Sequence, residues 1–205
     1  MSPTPPRSPS PPAAQRRLSG PTAAVLAGLA ILALGAIWLA WMPQASRQSL
    51  IGGPFALQDG AGRTVSDQTL RGKPYLVYFG YTHCPDVCPT ELARVSEVLA
   101  KMGDKAIPAL FVTVDPERDT PKVMQDYVSS FDPHIVGLSG GAQAIGEAER
   151  AFRVFARKGK AGADGDYAMD HSSVVYLMDK SGGFVEAVNL DRPPEEVAKE
   201  LAGYL

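Results

Sequence analysis

Cysteine is nearly absent: the 205 residues contain two, Cys84 and Cys88. A framework of several disulfides is therefore excluded. Histidine is almost as scarce, with His83, His134 and His171 the full set. No run of basic residues occurs, which excludes a nucleic-acid surface, because phosphates call for clustered Lys and Arg. Residues 1–50 contain no acid, only Arg7, Arg16, Arg17 and Arg47. With a net charge of −2 overall, the remainder carries about −6. Internal repeats are lacking. There is also no proline between residues 134 and 192.

What is present divides the chain into unequal parts. The first twelve residues, MSPTPPRSPSPP, are half proline and have almost nothing to bury. Residues 1–21 are therefore expected to be a disordered tail. Residues 22–42, TAAVLAGLAILALGAIWLAWM, are uncharged and apolar on every face. At 1.5 Å per residue they span roughly 30 Å, the thickness of a hydrocarbon core. Trp38 and Trp41 lie where an interfacial aromatic belt is expected, and Arg16 and Arg17 precede the span. This pattern keeps the N-terminus cytoplasmic and carries the rest across the membrane. A cleaved signal peptide is the competing reading. Its apolar core usually has about 7–15 residues and a small-x-small cleavage site. The longer run, with no clear A-x-A near Met42, favours a single uncleaved anchor at a bacterial inner membrane. Residues 43–54 then read as a linker and residues 55–205 as a periplasmic domain, in a compartment where thiol pairs oxidise readily.

Within that domain, FALQDGAGRTVS alternates around an Asp-Gly turn and predicts a hairpin. YLVYFGY (75–81) and ALFVTV (109–114) are short apolar runs and predict buried strands. Pro89 is expected to open a helix with Leu92, Val95, Leu99 and Met102 on one face, and Pro121 another through about Ser130. A short strand is expected over 134–138. The segment 142–158 predicts an amphipathic helix with Ile145, Ala148, Phe152 and Phe155 inward. A Gly- and Lys-rich loop follows, then strands at 173–179 and 184–190 around Ser181-Gly182-Gly183, then a final helix. Strands alternating with helices give an α/β fold with a central sheet covered on both faces.

The two thiols follow the first buried strand, where open α/β sheets build their sites. A Cys84–Cys88 disulfide would close five residues and contribute about 2 kcal/mol, too little to be its purpose in a domain with this much apolar sequence. Pro85 and Pro89 are expected to hold both cysteines out of regular helix, with Cys88 as the N-cap. The helix dipole there favours thiolate. A redox pair and a metal chelate both fit; two thiolates suit a soft cation such as Cu(I), or Zn. A metal would want a third ligand. His83 is expected to shape the loop and His134 to sit in a turn. His171 stands near the place where a thiol oxidoreductase of this layout would carry a cis-proline. Residue chemistry alone leaves its role open.

Three stretches, VYFGYTHCPDVCPTEL, FVTVDPERDTP and MDHSSVVYLMDKSG, in this order and spacing, resemble the Sco/SenC family of membrane-anchored copper proteins, named for synthesis of cytochrome c oxidase. The resemblance covers roughly residues 50–205. It implies a thioredoxin-like fold with insertions and one copper, as Cu(I) or Cu(II), held by Cys84, Cys88 and His171. It also implies delivery to the dinuclear copper site of cytochrome c oxidase subunit II. Other periplasmic copper chaperones or thioredoxin-like reductases are further partners that the resemblance allows. The alternatives within the family are a thiol-disulfide reductant of that site, or a redox or copper sensor; a metallochaperone rather than an enzyme is the expectation. Asp170 is expected to orient His171 or steady its loop. Asp115 and Asp119 belong to the same resemblance. Asp119 is expected to N-cap the helix near Pro121. Met169 is a candidate extra soft ligand, and the Gly-rich stretch 159–165 is expected to let the His171 loop move.

Overall fold

The computed structural model describes residues 25, 28, 31–35, 38, 50–163 and 165–205. The expected tail, 1–21, lies outside them, as does most of the expected anchor, 22–42. The described residues of that anchor segment are helical, and Val25, Ile31, Leu32, Leu34 and Trp38 are exposed. Among the described residues no helix is long and apolar enough to cross a membrane. Residues Arg47–Leu205 form a unit by themselves.

The two apolar runs become the middle of a sheet. Strand β3 (Tyr75–Gly80) and strand β4 (Ala109–Thr113) are buried at every position, as parallel strands covered on both faces must be. They pair in parallel, and β4 pairs in parallel with β5 (Ile135–Leu138). On the other side of β3, β8 (Val175–Met178) runs antiparallel, followed by its hairpin partner β9 (Phe184–Ala187). The order is β5-β4-β3-β8-β9. A separate two-stranded ribbon, β1 (Ala56–Gln58) with β2 (Thr64–Ser66), forms the expected hairpin, its turn tied by Asp59 to the backbone of Ala61 and Arg63.

Helices cover both faces. Helix α3 (Ala142–Phe152) packs through Phe152 on Phe79 and Tyr176. On the opposite face, Phe111 stacks between Tyr78 and Tyr127 of α2 (Pro121–Val128). Beside it, α1 (Val87–Met102) buries Cys88, Leu92, Val95, Leu99 and Met102 and packs against α4 (Pro194–Ala202).

Two expectations fail between α3 and β8. The helix expected through residue 158 stops at Phe152, because Arg153 turns into the left-handed region at φ 56°. The amides of Arg153 and Val154 then close the last turn on the carbonyls of Arg150 and Glu149. Phe155, expected inward, is 56% exposed. β-Branched Val154 and aromatic Phe155 suit extended backbone, and β6 (Ala156–Lys158) follows. It pairs antiparallel with β7 (Met169–His171), with Ala156 opposite His171. His171 therefore ends a strand of a hairpin instead of lying in an open loop.

At the far side of the sheet Glu186 of β9 faces Glu200 of α4, which Arg192 holds at 2.5 Å. Burial, then the Glu200 carboxylate, raise the Glu186 pKa, while Arg192 lowers that of Glu200. A carboxyl whose folded pKa exceeds its unfolded value stabilises the native state at low pH. That contribution disappears as pH rises through the folded value. Glu186→Gln, which donates a hydrogen bond to Glu200 at any pH, should raise the melting temperature at pH 7.5. The gain should shrink to nothing near pH 4, below the unfolded glutamate value of about 4.3. A pH-independent gain, or none, would refute the raised Glu186 pKa.

Candidate metal centre

Strand β3 delivers the cysteine loop. It ends at Gly80, buried Tyr81 follows, and the chain turns so that the Cys84 amide bonds the Tyr81 carbonyl at 3.3 Å. Helix α1 starts at Val87 with Asp86 before it. Cys88 is thus the second helical residue, where the N-cap was expected, and Pro89 is the third. The first amides of a helix have no intrahelical acceptor, so proline loses nothing at the third position. One of those orphan amides, that of Cys88, donates to the sulfur of Cys84 at 3.4 Å.

The hairpin β6–β7 delivers the histidine. The Sγ atoms of Cys84 and Cys88 and a ring nitrogen of His171 all lie within 4.8 Å of one another. His171 Nε2 is 3.6 Å from Cys88 Sγ, across a separation of 83 residues. The Nδ1–H of His171 donates to the carbonyl of Ser172 at 3.0 Å. That fixes the tautomer and leaves the Nε2 lone pair facing the sulfurs. The rings of Tyr81 and His171 meet edge to face, 5.7 Å between centroids at 90°. No disulfide joins the two cysteines; Cys84 is half-buried and Cys88 buried.

Burial pushes the Cys88 thiol up to about 12. Burial thus works against the thiolate that the helix dipole favours, and removal from water outweighs the partial charge of one helix end. A cation must displace that proton to bind. The Tyr78 hydroxyl, beside Cys88, shares a hydrogen bond with Ser173 Oγ at 3.0 Å and is itself raised by burial and by Cys88.

The aspartates take other places. Asp119 is fully buried and accepts from the Thr82 amide at 3.0 Å, the Thr82 hydroxyl at 2.5 Å and the Thr113 hydroxyl at 2.7 Å. It does not cap α2; Thr120 does, taking the Val123 amide at 3.3 Å. Both residue types are good caps, and the Thr82 donors win Asp119. Asp115 is buried and faces Arg118 and Tyr167, away from the sulfurs. Asp170 points to the opposite side of β7 from His171 and bonds Arg157 at 2.7 Å in solvent. The Ser172 carbonyl receives the imidazole in its place. Met169, two residues from His171 on the same strand face, is half-buried against the core. His83 bonds Thr82 at 3.1 Å and His134 bonds Asp132 at 2.7 Å; neither joins the cluster.

Sequence reasoning missed Gly80, Tyr78, Tyr81, Arg118 and Tyr167. The aromatic positions of YLVYFGY flank the cysteines and were available as a signal. Arg118 and Tyr167 meet across 49 residues with no local sign.

The donor set fits a soft cation. Donors about 2.0–2.3 Å from one ion in a trigonal array stand roughly 3.5–4 Å apart, close to the 3.6 Å seen here.

Residues 43–205 match the profile of the family described as SCO1/SenC. The chain is 37% identical over 188 residues to the mitochondrial SCO2 homolog of Bos taurus, covering 84% of this chain and 71% of that protein. It is 36% identical to the mitochondrial SCO1 homolog of Homo sapiens, covering 76% of this chain and 53% of that protein. The chain thus spans about half the length of the human relative. Among solved structures, Bradyrhizobium japonicum ScoI with copper bound is similar at a TM-score of 0.73 and 54% identity, over 76% of this chain and 99% of that one. Yeast Sco1 with copper bound is similar at a TM-score of 0.69 and 35% identity, over 75% and 87%. The α/β architecture is the thioredoxin-like fold of these proteins.

Proposed function

Because this chain belongs to the SCO1/SenC family, we propose that it is a copper chaperone for cytochrome c oxidase assembly, carrying one copper ion as cargo on Cys84, Cys88 and His171. The observation that supports this most is the aim of His171 Nε2, held by a tautomer-fixing hydrogen bond, at two cysteine sulfurs from a distant part of the chain. Two thiolates and one imidazole suit Cu(I), and the half-buried Cys84 and half-buried His171 leave a side from which a partner's ligands can approach. Transfer then proceeds by exchange of ligands one at a time. The recipient in this reading is the dinuclear copper site of cytochrome c oxidase subunit II. The apolar segment 22–42 keeps the domain at the inner membrane, with residues 43–205 on the periplasmic side.

Thiol–disulfide exchange draws less support. It needs only the two sulfurs, and so leaves the aim of His171 at them unexplained.

The test uses residues 47–205, reduced and metal-free under anaerobic conditions. Cu(I) is titrated against a competing chelator, for the native protein and His171→Ala side by side. One tight equivalent is expected. The variant should lose more than the roughly tenfold that even an outer partner of a metal ligand costs. Binding indifferent to His171 would overturn the three-ligand site and favour thiol exchange.

A further inference from the structure

Among the described residues, the ribbon that carries His171 belongs to no larger sheet, and β6 and β7 pair only with each other. A lone two-stranded hairpin is marginal in water. The short connection to β8, which starts at Val175, sets the end of the ribbon, and side chains must hold the rest of it over the cysteines. The largest set of them gathers on Arg118, in the loop between β4 and α2. Its Nε donates to Asp115 Oδ2 at 2.5 Å, and its two terminal nitrogens donate to Asp166 Oδ1 at 2.7 Å and the Tyr167 carbonyl at 2.9 Å. The guanidinium lies 3.7 Å from the Tyr167 ring centroid and 5.8 Å from that of Tyr81. The Tyr167 hydroxyl closes the ring by donating to Asp115 Oδ1 at 2.8 Å.

The anchor end of this cluster is rigid. Asp115 is buried, and its amide donates to Thr113 Oγ1 at 2.8 Å. The same Thr113 hydroxyl donates to Asp119, which holds Thr82. One unbroken chain of hydrogen bonds thus runs from the cysteine loop through Thr82, Asp119, Thr113 and Asp115 to Tyr167, two residues before the strand that ends at His171. Only a planar fork with several donors can bind two carboxylates, a carbonyl and two ring faces at once.

We propose that Arg118 is a positioning residue for copper binding: through Asp115 and Tyr167 it clamps the β6–β7 hairpin to the β4–α2 loop and so sets the reach of His171 to the two sulfurs. The inference rests on the three-ligand reading above. Removal of the clamp leaves both thiols in place and frees the third ligand.

The experiment is a double-mutant cycle of Cu(I) affinity with the native chain, Arg118→Met, His171→Ala and the pair. Methionine keeps an apolar stem and removes the fork. Arg118→Met should weaken Cu(I) about tenfold in the native background and change nothing once His171 is gone. In the metal-free proteins, amide hydrogen exchange across Met169–His171 should speed up in Arg118→Met, while β3 and β4 keep their protection. Arg118→Lys should not rescue, because an ammonium lacks the fork. Tyr167→Phe keeps the stacked ring and deletes only the bond to Asp115. It should show the same pattern at smaller amplitude, and it decides the matter if Arg118→Met does not fold. Equal losses with and without His171 would mark a general structural effect and overturn the proposal. No loss beside a large His171→Ala effect would overturn it while leaving the three-ligand site standing. If His171→Ala itself changes nothing, both fall.

Discussion

Asp119→Ala should cost the domain about 3–5 kcal/mol and release the cysteine loop. Three donors converge on this fully buried carboxylate, from Thr82 and Thr113. Each donor left without a partner in a buried site costs about 1–3 kcal/mol. Against that stands the relief of no longer desolvating a charge, but the three hydrogen bonds already offset that cost in the native protein. The loss therefore wins. Because Thr82 lies two residues before Cys84, the damage is not confined to stability. Urea unfolding gives the first number, and Cu(I) competition on the folded fraction gives the second. Asn at 119 keeps an acceptor oxygen but turns an amino group toward donors, so it should fall between Ala and the native residue. A change below about 1 kcal/mol for Asp119→Ala would mean that water replaces the carboxylate at little cost.

Gly80→Ala should be the most damaging single-methyl change for the site. Gly80 lies in a central strand with no positive φ, so its backbone would accept alanine without strain. Flexibility argues for a gain of about 0.4–1 kcal/mol from the stiffer unfolded chain. Space argues the other way. A Cβ there would lie 2.7 Å from Phe111 Cε2 and 2.8 Å from Cys88 Sγ. Neither neighbour is a flexible tip: Phe111 is fully buried and stacked on both sides. Overpacking of this kind costs about 1–3 kcal/mol, so the net effect is destabilising. The sulfur has to yield, which moves a ligand, and Cu(I) affinity should fall by about a hundredfold, the upper range for disturbed metal sites. A Gly80→Ala protein that binds Cu(I) like the native one would show that Cys88 is not held by the floor of β3.

Much of this architecture could be read before the structure, for physical reasons that differ by element. The strands β3 and β4 are continuous apolar runs, and only buried central strands tolerate those. Cys84 and Cys88 sit close in sequence, so their meeting needs no tertiary information. His171 was legible through the resemblance of MDHSSVVYLMDKSG to a known family and through the missing proline; residue chemistry alone left it open. The end of α3 was not legible. Arg153 adopts a conformation that glycine usually marks, and the apolar period runs on to Phe155 as if the helix continued. The β6–β7 hairpin was hidden because each strand has three residues and little apolar alternation. At Asp119 and Thr120 two good caps stand side by side, and only the position of Thr82, 37 residues earlier, decides between them. The Cys88 thiol was misjudged because a dipole is visible in a sequence and burial is not.

The aromatic packing around the sulfurs has an optical consequence. The chain's two tryptophans, Trp38 and Trp41, both precede residue 47, so all the ultraviolet emission of residues 47–205 comes from tyrosine. Tyr78 lies beside Cys88, Tyr81 packs on His171, and Tyr127 reaches Tyr78 through the Phe111 stack. Of the seven fluorophores, two therefore neighbour the ligand residues and a third stands behind Tyr78; a copper ion oxidised to paramagnetic Cu(II) there would darken them first, whereas diamagnetic Cu(I) would not. The domain thus carries its own label-free indicator of the oxidation state of a bound copper ion.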